Sequence, residues 1–457
     1  MEFVNCITVV DLNGDTLSDI LAASESGKLQ WWENTKTDDF NLGGTITSNF
    51  GNIKGLEVSD LEGDGDNDVI ASSFNKNECR AWIKDSTGNF VNSTALTSSI
   101  DEPTGLDVKD IDGDNDKDII IASYRSGVFW LEDTVDNGVS NSYDHHMLNS
   151  YNGVTDVKTA HLNEDNELDI VFVSKKEDLL IRGLNDGNQN FVNDTIDEGF
   201  ENAENVELVD IDQDDTLDII STSPTNDEVK WWKFQNGDYT PHLISGSLQG
   251  AYYADAKDMN GNGLMDIVAT SSAGDEIVIY ENNGNEQFIN KRTILDNIET
   301  PLETAFIDAS SDPDPDLATF SFYDSTLKVL ENTACDSLES KLYVNNGDDT
   351  MEMCKGDTGI LMTANSPYKY NWILNNSSIS NSSYIFAEDS GEYSVEIKNS
   401  YGCSDTSQKD TLIIHSVPQQ PSINEMGDTL QSSINSEKYK WFLNDTLWRN
   451  ADSFQTV

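Results

Sequence analysis

Seven times along the chain a nine-residue segment concentrates side-chain oxygens: DLNGDTLSD from Asp11, DLEGDGDND from Asp60, DIDGDNDKD from Asp110, HLNEDNELD from His161, DIDQDDTLD from Asp210, DMNGNGLMD from Asp258 and DASSDPDPD from Asp308. When such a segment curls, positions 1, 3, 5 and 9 bring their side chains toward one point and position 7 adds a carbonyl, the ligand set of a hard cation. The richest sets are Asp60, Glu62, Asp64 and Asp68; Asp110, Asp112, Asp114 and Asp118; and Asp210, Asp212, Asp214 and Asp218. Asp11, Asn13, Asp15 and Asp19, and Asp258, Asn260, Asn262 and Asp266, are also all-oxygen sets. Four carboxylates within nine residues repel one another unless an ion neutralises them. A flexible, multidentate, all-protein set suits calcium better than the strict octahedron of magnesium, and several ions are expected, one per intact loop.

Two loops depart from the pattern. His161 puts an imidazole where calcium prefers oxygen, so the fourth site is expected to be weak or empty. The seventh keeps Asp308, Asp312 and Asp316 but has Ser310 at position 3 and prolines at 313 and 315, which leaves its occupancy open. An EF-hand is excluded: its bidentate Glu would fall at position 12, where the chain has Ala22, Ala71, Ile121 and Ser221, and its flanks would be helical. The competing reading is a set of solvated Asx-type turns without metal, since Asp, Asn and Gly favour turns on their own.

The elements that position these loops follow from the spacing. Successive loops start 49, 50, 51, 49, 48 and 50 residues apart, the period of one structural unit. The third unit shows its content: GLDVKD, the acidic loop, DIIIAS, a YRSG turn, VFWLED, and a weaker outer strand. Along the third strand Trp31, Trp82, Trp130 and Trp231 are assigned to one face, and Trp32, Ile83, Leu131, Trp232 and Tyr280 to the other. A small sheet that is apolar on both faces must be sandwiched between neighbours, and four-stranded sheets set radially about an axis satisfy this. The expectation is all-β, a seven-bladed β-propeller over residues 1–334. Its closure is open, because the last unit ends after its third strand; residues upstream of Met1 are one source of the missing strand, and a solenoid of stacked sheets is the alternative.

These loops and strands resemble the FG-GAP or VCBS-type repeats of integrin α-subunit propellers and of many secreted bacterial proteins, whose units carry D-x-[DN]-x-[DN]-G-x-x-D loops between strands. The resemblance implies a propeller holding calcium in its hairpin loops, on the residues named above. The chain departs in placing glycine mostly at position 4, as Gly14, Gly63, Gly113 and Gly261. WWEN at Trp31 to Asn34, with YEN and LEN later, is similar to the bacterial members.

From Cys335 a different pattern begins. Trp372 and the DSGEY of Asp389 to Tyr393 resemble the strand C tryptophan and tyrosine-corner region of immunoglobulin-like domains, and Tyr393, Val395 and Ile397 alternate as a half-buried strand does. Residues 335–417 are therefore expected to form an Ig-like β-sandwich. Residues 418–457, whose YKWFLNDT echoes YNWILNN, are expected to be an incomplete second Ig-like module. Similar bacterial surface modules suggest a Cys354–Cys403 disulfide; a Cys6–Cys335 bridge closing the ring is the alternative, and Cys79 is left over. The tandem modules resemble those of exported Bacteroidetes-type proteins, which implies an extracellular or cell-surface location. Met1 to Val10 carries no basic n-region or cleavage pattern, so a secretory signal is expected to lie outside this sequence.

Composition narrows the partners. Across 457 residues, 83 Asp and Glu stand against 27 Lys and Arg, a formal charge of −56 that repels nucleic acid and anionic membranes. No apolar stretch reaches the length of a membrane span. The five histidines, His145, His146, His161, His242 and His415, are scattered, and no nucleophile elbow or phosphate loop is present. The expectation is a binding protein without catalytic residues or a further cofactor: a monomeric adhesion or ligand-binding module for protein or glycan. A polysaccharide-active enzyme and a structural spacer are the alternatives. The tryptophans are read as inter-blade core in preference to sugar-stacking platforms.

Overall fold

Short runs of Val, Ile, Leu and aromatic residues, bounded by Asp, Asn, Gly and Ser, favour pleated strands and tight turns over helix. The computed structural model accordingly contains no helix among the residues it describes, which are 3–36, 40–133, 143–163, 165–284, 287–310, 312–323, 326–335, 338, 340–344, 350–355, 359–363, 368–416, 419–426, 429–434, 439–443 and 446–451. Contacts divide the chain into two units, Met1–Leu338 with Asn399–Cys403, and Glu339–Lys398 with Ser404–Val457.

In the first unit each repeat is an antiparallel sheet whose strands lie in chain order. The first repeat places Val4–Val10, Asp19–Ser24, Leu29–Asn34 and Phe40–Thr47 side by side. Six repeats have four strands. The seventh has three, Pro301–Ile307, Asp316–Ser321 and Leu327–Leu330, among the described residues. The second strand is buried along its whole length in all seven.

Seven separate apolar cores lie between successive sheets, and the last of them settles the question of closure. It joins Val4, Ile7, Ile20 and Ala22 of the first sheet to Ile307, Ala309, Ala318 and Phe320 of the seventh. Phe3 donates its N–H to the carbonyl of Phe322 at 3.0 Å, and the Trp32 and Phe320 rings meet at 5.1 Å. The solenoid alternative is thereby excluded: this is a closed seven-bladed propeller.

The tryptophans fill the inter-blade cores, but one sits on the face opposite to that expected. Trp31, Trp130 and Trp231 pair with Leu21, Ile120 and Ile220, and pack toward the following blade. Trp82 pairs with Val69, as Trp32 does with Ile20, and packs toward the preceding blade. The cause is the turn between the second and third strands. In the first blade Ser24 bonds back to Lys28, whereas in the second Ser73 pairs with Glu78, one residue further on. A one-residue shift exchanges the two faces of a strand.

In the second unit Thr350–Cys354, Asp410–His415, Gly391–Lys398, Lys369–Leu374 and Ser377–Ser380 form one sheet, to which Ser404–Thr406 adds. Tyr343–Val344, Gly359–Met362 and Tyr384–Ala387 form another. Trp372 is wholly buried and donates its ring N–H to the Ser382 carbonyl at 2.7 Å. The Tyr393 hydroxyl donates back to the carbonyl of Asp389 at 2.9 Å, which pins the entry to its strand. Ile423–Met426 with Thr429–Ser432, and Tyr439–Leu443 with Thr446–Ala451, are hairpins.

The disulfide expectation is corrected. Cys403 pairs with Cys335, with their Cα atoms 5.6 Å apart, and Cys6 and Cys79 are free and buried. Neither Cys354–Cys403 nor Cys6–Cys335 can therefore form. The described contacts place Cys403 in the segment Asn399–Cys403, which packs with the propeller residues, and this carries its sulfur to Cys335.

Candidate metal loops and the axial cavity

Each acidic loop joins the first strand of a blade to its second and is built around its ninth residue. Asp19, Asp68, Asp118, Asp169, Asp218, Asp266 and Asp316 are completely buried. In each, one carboxylate oxygen accepts the N–H of loop position 2 and the other accepts an N–H at the end of the third strand. The donors are Leu12 and Asn34 in the first blade, at 3.0 and 2.9 Å, and Ile111 and Asp133 in the third, both at 3.0 Å. The other five blades repeat the arrangement. Position 9 thus staples the loop to the sheet, a role that sequence reasoning missed when it counted these residues only as ligands.

Position 1 folds the loop. Asp110 accepts N–H bonds from Gly113, Asp114 and Asn115 at 2.7, 3.1 and 3.0 Å, and Asp11, Asp60 and Asp258 do the same in their loops. The tight curl puts position 4 in the left-handed region, with φ of 80° at Gly113. Glycine is favoured there because it has no Cβ to clash, and Gln213 holds the same conformation at 63° in the fifth loop. His161 cannot accept such a set of bonds; its Nδ1 lies 2.8 Å from the Glu167 carbonyl.

Among the described residues, two groups bring three carboxylates within 4.8 Å of one another: Asp110, Asp112 and Asp118, and Asp210, Asp212 and Asp218. Asp114 and Asp214 stand outside these clusters, each bonded to the N–H two residues on. In the second loop Asp64 accepts the N–H of Asp66 in the same way. Buried carboxylate oxygens without any donor occur at Glu62, Asp116, Asp212 and Asp314, and all four belong to these loops. Burying a charged oxygen without a partner is costly. Burial pushes Glu62 up to about 7, with Asp68, Asp64 and Asp60 adding to it, and Asp118 up to about 7 against the pull of its backbone donors. A divalent ion would relieve both effects, and these oxygens fit one. Asp116 and Asp314 occupy position 7, which was assigned a carbonyl role only; an acid at that position in several repeats was the signal.

The loops differ in what else supplies them. In the fifth, the Lys233 ammonium pairs with Asp212, and in the second Lys84 lies 3.6 Å from Asp66. Asp15 and Asn13 of the first loop bond each other at 3.1 Å. The sixth loop is neutral at positions 3 and 5, and its Asp258 accepts the Ser400 hydroxyl at 2.5 Å besides its own backbone donors, while Ser400 donates its N–H to the Gly261 carbonyl. Asn260 and Asn262 accept N–H bonds from within that loop, and Asp266 is its staple. In the seventh, Ser310 donates to Asp312 at 2.7 Å and Asp314 accepts the N–H of Cys335 at 2.8 Å. Asp308 offers its carbonyl to the Asn34 side chain of the first blade.

A second feature lies on the axis. The innermost strands enclose a cavity of about 370 Å³. Three residues before the loop stand Glu57, Asp107, Glu207 and Asp255, with Lys158 in the fourth blade, and of these Glu57, Lys158 and Glu207 line the cavity. Several inner-strand acids close the gap to the next blade: Asp107 accepts the N–H of Thr159, Asp156 that of Val206, and Glu303 that of Ile7. Protein surrounds these groups closely, although Glu57, Asp156, Glu207 and Glu303 are only half-buried. Burial pushes Glu57 up to about 7, with Asp107 and Asp156 adding and Lys158 and Lys109 opposing. It pushes Glu303 up to about 8 against the Ile7 N–H and Lys158, with Asp156 and Glu57 adding. Burial alone would lower Lys158, but Glu207, Asp156, Glu57 and Asp107 outweigh it and keep the ammonium protonated.

The sign of the resulting pH dependence follows. Acids raised above an unfolded value of about 4.3 hold protons in the native state that the unfolded chain has released. Stability in chelator is therefore expected to fall as pH rises from about 5 to about 8, and to level off above that. Urea midpoints across this window should fall less steeply in a Glu57→Gln/Glu303→Gln double variant, and equal slopes would place the dependence elsewhere.

Radial sheets that close on themselves, each with an acidic loop between its first and second strands, define a repeat β-propeller. A family model described as an FG-GAP-like repeat matches residues 11–71, 60–121 and 258–319. The ring is an FG-GAP-repeat β-propeller. Among solved structures it is similar to BBS1N in a complex with ARL6DN, at 12% identity and a TM-score of 0.50, over 72% of this chain and 93% of that one. It is also similar to an Agrocybe aegerita lectin recognising non-reducing terminal N-acetylglucosamine, at 17% identity and TM-score 0.43 over 73% and 91%, and to Kuenenia stuttgartiensis hydrazine synthase, at 10% and 0.49 over 71% and 95%. At such identities the likeness concerns the fold alone. No curated protein matches the chain in sequence. No helix among the described residues is long and apolar enough to cross a membrane.

Proposed function

We propose that the protein is an extracellular or cell-surface calcium-binding propeller that acts as an adhesion or ligand-binding module, followed by Ig-like modules. The observation that carries the calcium reading is the set of buried, donorless carboxylate oxygens of Glu62, Asp116 and Asp212 inside the three most acidic loops. A bound ion supplies the positive charge these oxygens lack and rigidifies the loop that carries them. The chain prepares the site: position 1 curls the backbone, position 9 fixes it to the sheet, and position 3, with the acid at position 7 where one is present, keeps an oxygen without a donor for the ion.

Calorimetric titration of chelator-treated protein with calcium is expected to show about three tight equivalents, from the second, third and fifth loops. The first is expected to be weaker. The fourth lacks its oxygen ligand, and the sixth is satisfied by neutral donors. Asp112→Asn should remove one equivalent, whereas His161→Asn should not remove any. A titration without saturable uptake would overturn the reading.

A further inference from the structure

We propose that the axial cavity is a binding site for an organic cation, an ammonium or guanidinium group carried on a small body, held by Glu57 and Glu303 against the tyrosines of the channel. The inference deepens the ligand-binding reading, on which it rests, and uses none of the calcium-loop residues.

The cavity is of the size that takes a side chain or a monosaccharide-sized ligand. Its lysines are already committed. Lys158 pairs with Glu207 at 3.4 Å, Lys175 with Glu204, and Lys54 with Glu25 at 3.6 Å. Asp156 is satisfied by the N–H groups of Val157 and Val206 at 2.9 and 3.0 Å. Two acids are left without a cationic partner within ion-pair distance among the described residues; burial favours their protonated forms, and a bound cation would draw them to the carboxylate. Glu57 accepts no hydrogen bond and forms no ion pair among the described residues, and Glu303 has a single backbone donor, Ile7, at 3.1 Å. Both line the cavity in which a ligand would sit.

The spacing of the acids selects the kind of cation. A bare divalent ion needs several oxygens converging on one point. No three axial carboxylates come within 4.8 Å of one another among the described residues, whereas two of the loops achieve this. Separated acceptors suit a cation whose donors are spread over a molecular framework, as in an amine or a guanidinium fork. The walls add aromatic surface: Tyr252, Tyr253, Phe74 and Tyr124 line the cavity, the last two with ring centroids 6.0 Å apart. The Tyr124 ring already accepts an ammonium group on its face, since Lys176 Nζ lies 3.8 Å from its centroid. The formal charge of −56 draws cations toward the molecule.

The test is a calorimetric titration of the full, calcium-loaded chain with benzylamine and with agmatine, using benzyl alcohol as the neutral isostere. A peptide with one arginine among glycines separates the two sources of the charge. Tighter binding of the peptide than of agmatine indicates a partner's side chain, and the reverse indicates a free small amine. The amines are expected to saturate and the alcohol to bind more weakly by about ten-fold or more. Glu57→Gln and Glu303→Gln should each weaken the amines by a similar factor, with calcium stoichiometry retained as evidence that the variants fold. Asp112→Asn should lower calcium uptake and leave amine binding unchanged. Equal binding of amine and alcohol, equal affinity in the wild type and both glutamine variants, or displacement of the amine by calcium at the cavity would overturn the proposal. Absence of calcium uptake would count against the loops alone.

Discussion

Asp169→Ala is expected to destabilise the propeller by about 2–6 kcal/mol, and by the same amount in excess chelator as in excess calcium. Asp169 is completely buried, and its two carboxylate oxygens accept the N–H groups of Leu162 and Asn185 at 3.1 and 2.8 Å. Alanine leaves both backbone donors buried without an acceptor, at a cost of about 1–3 kcal/mol each. The fourth blade makes the clean test, because His161 removes the first ligand of its loop and metal binding cannot confuse the result. Asp169→Asn should lose roughly half as much, since its amide keeps one acceptor oxygen. Asp165, exposed at position 5 of the same loop, should be replaceable by alanine for well under about 1 kcal/mol. Urea unfolding of the three variants decides the matter: a cost for Asp169→Ala that appears only in calcium would make position 9 a ligand and nothing more.

That result bears on how the sequence is read. Loops recurring every 48 to 51 residues were enough to establish seven blades, because one four-stranded sheet with its turns occupies about that length. The same regularity hid two things. An invariant ninth aspartate looks identical whether it binds an ion or caps backbone N–H groups, and only the bond from the end of the third strand reveals the second role. The face of Trp82 depended on one added residue in a turn, which a period of about fifty does not resolve. Cys335–Cys403 was illegible because pairing depends on where the segment Asn399–Cys403 lies in space. The axial acids left a trace that went unread: Glu57, Asp107, Glu207 and Asp255 interrupt apolar strands at one fixed distance before the loop. Of these, Glu57 and Glu207 line the axial cavity.

Calcium at about a hundred-fold excess over its dissociation constant is expected to stabilise the propeller by about 2.7 kcal/mol for each loop it fills, or roughly 8 kcal/mol for three. A gain of that order is comparable with the whole stability of an ordinary domain, about 5–15 kcal/mol, so unfolding should shift visibly between chelator and calcium. The physical source is the state of the metal-free loops. Asp212 and Glu62 each bury a carboxylate oxygen with no donor, and Asp118 is raised by burial to about 7 although two backbone N–H groups oppose it. The Lys233 ammonium offsets part of the charge at Asp212, and what is left opposes folding until an ion enters. Asp112→Asn should therefore lose one increment of the calcium-dependent gain, yet leave the metal-free protein equally stable or slightly more so, because it removes a like charge beside Asp110 and Asp114. Asp169→Ala behaves oppositely, lowering both curves in parallel. Unfolding curves for the two variants, each with and without calcium, separate ligand from staple, and superimposable wild-type curves in chelator and calcium would remove the ion from the account.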